Sequence, residues 1–561
     1  MLTFRPALAP DVDFVLANSP LDPTKLNGFT LKPLNGSTLI LAIGCGLAEN
    51  PNPSIHLFSG FCARNRRVVS GADAFTLDWT DRHPGNYAIV EEHDRELSVR
   101  SDIFGLQAIY LYRSATNQLA SNNLHMLVSV CRQLGIRLTP YKPFFERRLL
   151  PRWIGQQASG RVCAFSEITL LLTDEELRGS RSTGFRIIRS PRQPFTRYAD
   201  ALEASIEAIT NQVAAAANTF HCLVYRLSGG YDSRAVFGAL IRLDLLKRAY
   251  CWTFPHLADD FRSVQMLVEQ YGGEFCSDFP FGRAVVPLTI EDAFNQWASN
   301  NFGSYSTLLG FEKHARASFD DRTVAVLFGG GGECYRDFYF ADVDIEREHK
   351  FRKRIAAIVS GDTPSLRGSA HRIAESYCEE LNALPGASVR EKLRAHYLNY
   401  RNRFHFGGGT SSKMNRISMS PLMQVGLLDA AEISRREGRD LRRILADIYE
   451  AFHPDLMKIP FDRPEKAMVP QSLQWPGKAY DPVSITSAKP PALFDSKRKS
   501  ALIEEKFKEA VTGIKEIGIY DDFDFDGYVA DIINRGQVKP AVMPEYQASV
   551  ISTYHLLQYA S

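Results

Sequence analysis

Residues 221–233 read HCLVYRLSGGYDS. A short apolar run, His221 to Leu227, leads into a glycine turn, and helical spacing follows from Ser233 to Leu245. This order is strand, turn, helix. Gly229 and Gly230 let backbone N–H groups approach an anion, and the helix behind them presents the positive end of its dipole. Ser228 and Ser233 add hydroxyl donors. Asp232 alone would repel a phosphate, so a carboxylate here makes sense as a magnesium ligand. The spacing is neither that of a Walker loop, which needs GK[ST] after the second glycine, nor that of a dinucleotide GxGxxG.

The same alternation continues on both sides of the loop. Tyr198 to Asn218 is alanine-rich with helical spacing, Arg248 to Phe254 reads as a second strand, and Asp260 to Tyr271 as a helix. Thr323 to Phe328 is a further strand that runs into four glycines, Gly329 to Gly332. Strands alternating with helices predict a parallel sheet with crossover connections. Ile345 to about Tyr449 is largely helical by pattern, and the tail from Pro470 is rich in Pro and Lys before turning helical again. The first third differs. Ser37 to Ile43, Asn86 to Glu91, Glu96 to Ser101 and Ala108 to Arg113 read as strands, and His125 to Leu134 as a helix. The polar, basic stretch Glu175 to Arg197 is expected to be a linker, which gives one domain over 1–185 and another over 190–561.

The loop LSGGYDS, Leu227 to Ser233, resembles the PP-loop (SGGxDS) of the N-type ATP pyrophosphatases. That resemblance implies ATP and Mg2+ as cofactors, cleavage between the α and β phosphates, and an adenylated substrate. Residues 327–337, LFGGGGECYRD, resemble the second glycine motif (SGEGADE) of asparagine synthetases: Gly329 and Gly331 match glycines and Glu333 takes the place of the metal-binding aspartate. Phe328, Gly330 and Cys334 depart from the pattern. Gly85 to Val90, Ser101 to Gln107, Ile109 to Tyr112 and Leu119 to Asn122 follow the order of a class II glutamine amidotransferase domain. The resemblance implies an α+β β-sandwich of the N-terminal-nucleophile type, followed by an α/β PP-loop domain with extra helices.

The resemblance assigns further residues. ATP and pyrophosphate would meet Leu227, Ser228, Gly229, Gly230, Asp232 and Ser233, with Gly329 and Gly331 from the second loop. The metal would sit on Asp232 and Glu333. Thr253 and Phe254 hold the place of the adenine pocket, although Phe254 by side-chain type alone is ordinary core. Lys458 and Lys466, in HPDLMKIPFDRPEKAM (453–468), are the candidate catalytic cations for the oxyanion and the leaving adenylate, with Lys466 nearer the family's RxK pattern. Arg234 sits at a helix N-terminus, poorly placed for the dipole, which favours a phosphate contact or an ion pair. Asp260 is a candidate helix cap, and His405 with Gly407 to Gly409 a candidate flexible cover for the acceptor site.

A class II glutaminase needs cysteine as the first residue of the mature chain, because its own α-amine is the base. This sequence begins Met1-Leu2-Thr3, and its first cysteine is Cys45. Glutaminase chemistry is therefore expected to be absent, as in β-lactam synthetases and lasso-peptide cyclases of natural-product biosynthesis. Those enzymes imply a small-molecule or peptide carboxylate and an amine as substrates, or a precursor peptide with a companion protease. A glutamine- or ammonia-dependent asparagine synthetase and a tRNA-modifying PP-loop enzyme are the alternatives.

Bulk properties narrow the partners. At 561 residues the chain exceeds one hydrophobic core. Its net charge of +2 gives no electrostatic case for nucleic acid or a membrane surface. Nine cysteines, at irregular spacing and with no CxxC pair, read as reduced thiols in a cytoplasmic protein. No apolar run reaches membrane-spanning length.

Overall fold

The computed structural model describes residues 12–34, 36–42, 52–79, 81–152, 154–254, 257–275, 289–305, 324–341, 344–408, 417–468, 494–539 and 543–560. Its first part contains β1 (Phe14–Ala17), β2 (Phe29–Leu34), β3 (Ser37–Ala42), β4 (Ile55–Arg64), β5 (Arg67–Ser70), β6 (Gly85–His93), β7 (Glu96–Ser101), β8 (Tyr110–Arg113), β9 (Gln118–Ser121), β10 (Ile168–Leu170), β11 (Glu175–Ser180) and β12 (Gly184–Arg189). They form two six-stranded sheets, ordered β10-β8-β9-β1-β3-β2 and β12-β11-β7-β6-β4-β5, with antiparallel neighbours. Phe14, Leu16, Leu39 and Leu41 of one sheet share a core with Val90, Val99 and Leu177 of the other. The period of two within β1 and β3 is what directs these side chains inward. The alternate residues Val15, Ala17 and Ile40 face outward into a second core with helices α1 (Leu124–Gln133) and α2 (Lys142–Arg148).

The stretch expected to be a linker instead carries the hairpin β11–β12 at the edge of the second sheet. Its charge had suggested solvent on all sides. Leu177 and Phe185 point into the core while Arg178, Arg186 and Arg189 project outward, the arrangement an edge strand needs to resist further pairing. Even the buried acids are matched, Glu175 by Arg161 at 2.8 Å and Glu176 by Arg178 at 2.7 Å.

The second part is built on α3 (Tyr198–Thr219), β13 (Cys222–Arg226), α4 (Tyr231–Arg242), β14 (Ala249–Trp252), α5 (Ala258–Tyr271), β15 (Glu274–Phe275), β16 (Val324–Phe328) and β17 (Ile417–Met419). All five of its strands are parallel, in the order β15-β14-β13-β16-β17. The chain therefore runs outward from β13 to β15 and then returns to the other side of β13. This reversal makes the carboxyl ends of β13 and β16 a topological switch point, the place where open α/β sheets bind ligands. β17 interrupts the region expected to be helical, because three residues carry no readable periodicity. Beyond β16 the chain is otherwise mostly helical, and it includes a π-helix over Tyr397–Gly408. The expected Pro- and Lys-rich tail falls largely on 469–493, outside the described residues. Among the described residues no helix is long and apolar enough to cross a membrane.

Candidate functional site

The loop after β13 is held by its own side chains. The Ser233 hydroxyl accepts from the Ser228 N–H at 3.0 Å and lies 2.9 Å from the Ser228 hydroxyl. Leu227 is buried and its N–H donates to the Trp252 carbonyl at 3.0 Å, which ties the loop to the end of β14. Gly230 is the N-cap of α4, and no side chain caps that helix. Its first turn is the kind of terminus that favours an anion. Asp260 accepts from the Gly229 N–H at 2.7 Å. Asp260 is therefore not the cap of α5, whose N-cap is Leu257, but a brace on the glycine turn.

The glycines after β16 bring the second loop onto the first. A Cβ on Gly329 would lie 2.3 Å from the Ser233 backbone nitrogen, and one on Gly332 only 2.0 Å from Asp232 Oδ1. Gly331 has φ +95°, a left-handed conformation suited to glycine. This contact brings Asp232 and Glu333 together. Burial raises both carboxyls above their ordinary range, and the Asp232 charge pushes Glu333 further up. Asp232 Oδ1 and Glu333 Oε2 are both buried without a hydrogen-bond partner. Two orphaned carboxylate oxygens at one place fit a hard divalent cation, since buried polar atoms otherwise find partners. Among the described residues no three His, Cys, Asp or Glu side chains converge as a metal site, so such a cation would complete its shell from phosphate and water.

Arg336 also reaches this place. Its Nη2 donates to Asp232 Oδ2 at 2.5 Å and its Nε to the Gly332 carbonyl at 3.1 Å. Against the cost of burial, the facing Asp232 carboxylate keeps the guanidinium firmly charged.

The two candidate lysines part company. Lys466 Nζ lies 2.8 Å from both oxygens of Asp462, and a Cβ on Gly230 would come within 3.7 Å of it. Asp462 in turn donates its N–H to the Gly229 carbonyl at 3.1 Å. Lys458 instead pairs with Asp455 at the surface, and the structure does not bring it to the loop. Arg234 makes its side-chain hydrogen bonds away from the glycine loop. It is fully buried and donates to the carbonyls of Leu456, Ile459 and Pro460 and to the Ser263 hydroxyl, with its guanidinium 3.7 Å from the Phe461 ring centroid. The arginine thus fastens the segment that delivers Asp462 and Lys466.

Thr253 is buried and its hydroxyl has no partner, while Phe254 is 38% exposed. The core reading of Phe254 is therefore corrected: it stands at the end of β14 beside Trp252, with ring centroids 4.4 Å apart. Arg226, paired in register with Trp252 and Phe328, lays its guanidinium 4.8 Å from the Trp252 ring. His405 is wedged in rather than forming a flexible cover. Its Nδ1 lies 2.8 Å from the Tyr305 hydroxyl, and burial, with Arg401 and Arg226 adding to it, pushes its pKa down to about 3. A Cβ on Gly407 would lie 2.1 Å from the Leu106 carbonyl; Gly409 lies outside the described residues.

In the sandwich, Asp102 is fully buried and accepts from the N–H groups of Phe104 and Gln107. The turn it closes receives Arg403 of the π-helix, which donates to the carbonyls of Gly105 and Leu171. The same helix touches the second glycine loop through Asn402 and Cys334, 3.1 Å apart, and through Phe406, whose ring is tilted against that of Phe328 with centroids 5.7 Å apart. Residues 1–11, with Met1, Leu2 and Thr3, and also Cys45 and Cys276, lie outside the described residues. The seven described cysteines are free thiols.

Arg336, Asp462 and Arg226 were not singled out from sequence. Arg336 offered a signal, standing three residues after Glu333. Asp462 offered one too, four residues before Lys466. Arg226 offered none beyond adjoining the loop. No protein-family model matches the chain, and no curated protein matches it.

Proposed function

We propose that this protein is an ATP-dependent ligase that activates a carboxylate as an acyl-adenylate and passes the acyl group to an amine, releasing AMP and pyrophosphate. The observation that carries this reading is the pair of orphaned oxygens, Asp232 Oδ1 and Glu333 Oε2, buried beside an uncapped helix N-terminus at the switch point of a parallel sheet. Asp232 and Glu333 would hold magnesium, which supplies neutralisation of phosphate charge and improves the pyrophosphate leaving group. The loop Ser228 to Ser233 orients the phosphates through its N–H groups and the first turn of α4. Phe254 and Thr253, at the end of β14, offer a ring and a hydroxyl to the base. The substrate carboxylate attacks the α-phosphorus, pyrophosphate departs, and the amine then displaces AMP from the acyl carbon. Lys466, poised over Gly230, offers its ammonium to the charge that develops on the phosphates or the oxyanion. The carboxylate and the amine are of the small-molecule or peptide kind that the family resemblance implies.

The sandwich serves as a support in this reading. The Asp102 turn buttresses the π-helix, and the π-helix buttresses the loop bearing Glu333. In this reading the amine is supplied directly and glutamine is not the nitrogen source. The test is glutamate release from glutamine in the presence of ATP and Mg2+. Release above a no-enzyme control that is lost on thiol alkylation would return the chain to the glutamine-dependent alternative. ATP–pyrophosphate exchange tests the ligase reading itself.

A further inference from the structure

Asp232 has two carboxylate oxygens with opposite circumstances. Oδ2 is held by Arg336, while Oδ1 is buried with no partner. Arg336 is anchored at a second point, the Gly332 carbonyl, on the same loop that carries Glu333. The close approach of Gly332 to Asp232 leaves little freedom for the carboxylate to rotate. The guanidinium is therefore a built-in part of the site, with its position set by two hydrogen bonds. Lys466, the other nearby cation, already shares its charge with Asp462.

Charge counting gives this arrangement a purpose. Asp232 and Glu333 carry two negative charges into a buried place, and Arg336 returns one. One divalent cation on Oδ1 and Oε2 then leaves the cluster net positive, ready for a polyphosphate. Without the arginine, one divalent cation would leave the cluster neutral rather than positive, so the pair would hold that ion more tightly, and Asp232 Oδ2 would be free to meet a second. A guanidinium cannot be lost by deprotonation, so it is a dependable substitute for a metal charge.

We infer that Arg336 is a positioning residue that occupies one oxygen of Asp232 as a tethered counter-cation, so that the site takes one divalent ion between Asp232 Oδ1 and Glu333 Oε2. This rests on the metal-site reading above. It adds that the arginine fixes which carboxylate oxygen meets the metal and how many ions bind.

The probe is Mn2+ alone, titrated into the full-length, nucleotide-free protein and followed by its electron paramagnetic resonance signal and by calorimetry. The wild type is expected to bind one ion, and Asp232→Asn to lose it. Arg336→Met should take up a second Mn2+ or bind the first about tenfold more tightly, because a neighbouring positive charge is gone. Arg336→Lys should restore wild-type stoichiometry, which a merely structural role would not require. Arg336→Gln, which keeps a donor for the Gly332 carbonyl but no charge, guards against misfolding and should follow Arg336→Met. If the wild type and Asp232→Asn bind Mn2+ alike, the metal-site reading falls and the inference with it. If the wild type binds one ion at Asp232 while Arg336→Met and Arg336→Gln match it in number and within about twofold in affinity, the inference alone is overturned.

Discussion

Asp102, fully buried in the sandwich, and Asp232, at the end of the parallel sheet with its side chain 18% exposed, are aspartates whose carboxyls desolvation pushes upward, Asp102 to about 6. The difference lies in what surrounds them. Asp102 accepts from the backbone N–H groups of its own turn on both oxygens, so its local hydrogen bonding is complete. Asp232 has one oxygen engaged by Arg336 and one left without a partner. A satisfied buried carboxylate is a structural fastening, whereas an unsatisfied one is a place where something else must bind. On this criterion we propose that the sandwich acts as a brace and that the end of the sheet is the reactive region.

The largest expected effect breaks the comparison on the reactive side. Asp232→Asn should cut pyrophosphate formation by about a thousandfold or more, since it removes a proposed ligand of the magnesium that would neutralise the developing phosphate charge. The melting temperature should hold or rise, because asparagine keeps an acceptor for Arg336 while the repulsion between Asp232 and Glu333 is relieved. Glu333→Gln should act in the same direction. A large loss of stability with unchanged turnover would reverse the roles given to the two aspartates.

Next in size is the contrast between the two lysines. Lys466→Met should lower turnover by about a hundredfold, the range for losing one aimed donor. Lys458→Met should stay near wild type, because that ammonium is spent on Asp455 at the surface. Steady-state pyrophosphate release on the two variants checks this, and equal losses would contradict the placement.

On the structural side, Asp102→Ala should cost about 2–5 kcal/mol of stability by orphaning buried N–H groups. Turnover per folded molecule should change far less than in Asp232→Asn. Chemical denaturation together with activity on the folded fraction separates the two effects.

How much of this was legible in sequence also divides along the comparison. The glycine turn between β13 and α4 could be read because a strand, two glycines, an aspartate and a helix follow one another within a few residues. Lys466 could be read only as one of two lysines; what selects it is Arg234 gripping residues 456–460, a contact made across more than two hundred positions. The stretch Glu175 to Arg197 reads as a linker because charge on an edge strand looks like charge on a loop until the inward Leu177 and Phe185 are placed. β17 is three residues long and has no period to detect.

A smaller effect sharpens the contrast through pH. Burial holds His396 and His405 at about 3 and His83 at about 4, all below their unfolded value. Between those values and about 6.5 the unfolded chain binds more protons, so this stability is present above about 6.5 and is lost as pH falls toward 3. Asp102 acts in the opposite sense: its folded carboxyl is raised, so the cost of its charge is present above about 6 and is relieved as pH falls through that value. Asp232 and Glu333, also raised, act in the sense of Asp102, so the net slope is a balance; the histidine contribution by itself should fall from pH 7 to pH 5 by up to about 1.4 kcal/mol per pH unit for each fully linked group. Replacing His396 with leucine should flatten that slope, as read by thermal melts across the range; an unchanged slope would remove this histidine from the account.

The central claim is that the carboxylates at the end of the sheet serve cleavage between the α and β phosphates. The most direct measurement incubates the protein with Mg2+, α-labelled ATP and a panel of amino-acid and peptide carboxylates with amines, and resolves the labelled products. The account predicts labelled AMP with an equal yield of pyrophosphate in the wild type and neither in Asp232→Asn. Labelled ADP as the sole nucleotide product, or AMP formed equally well by Asp232→Asn, would contradict it.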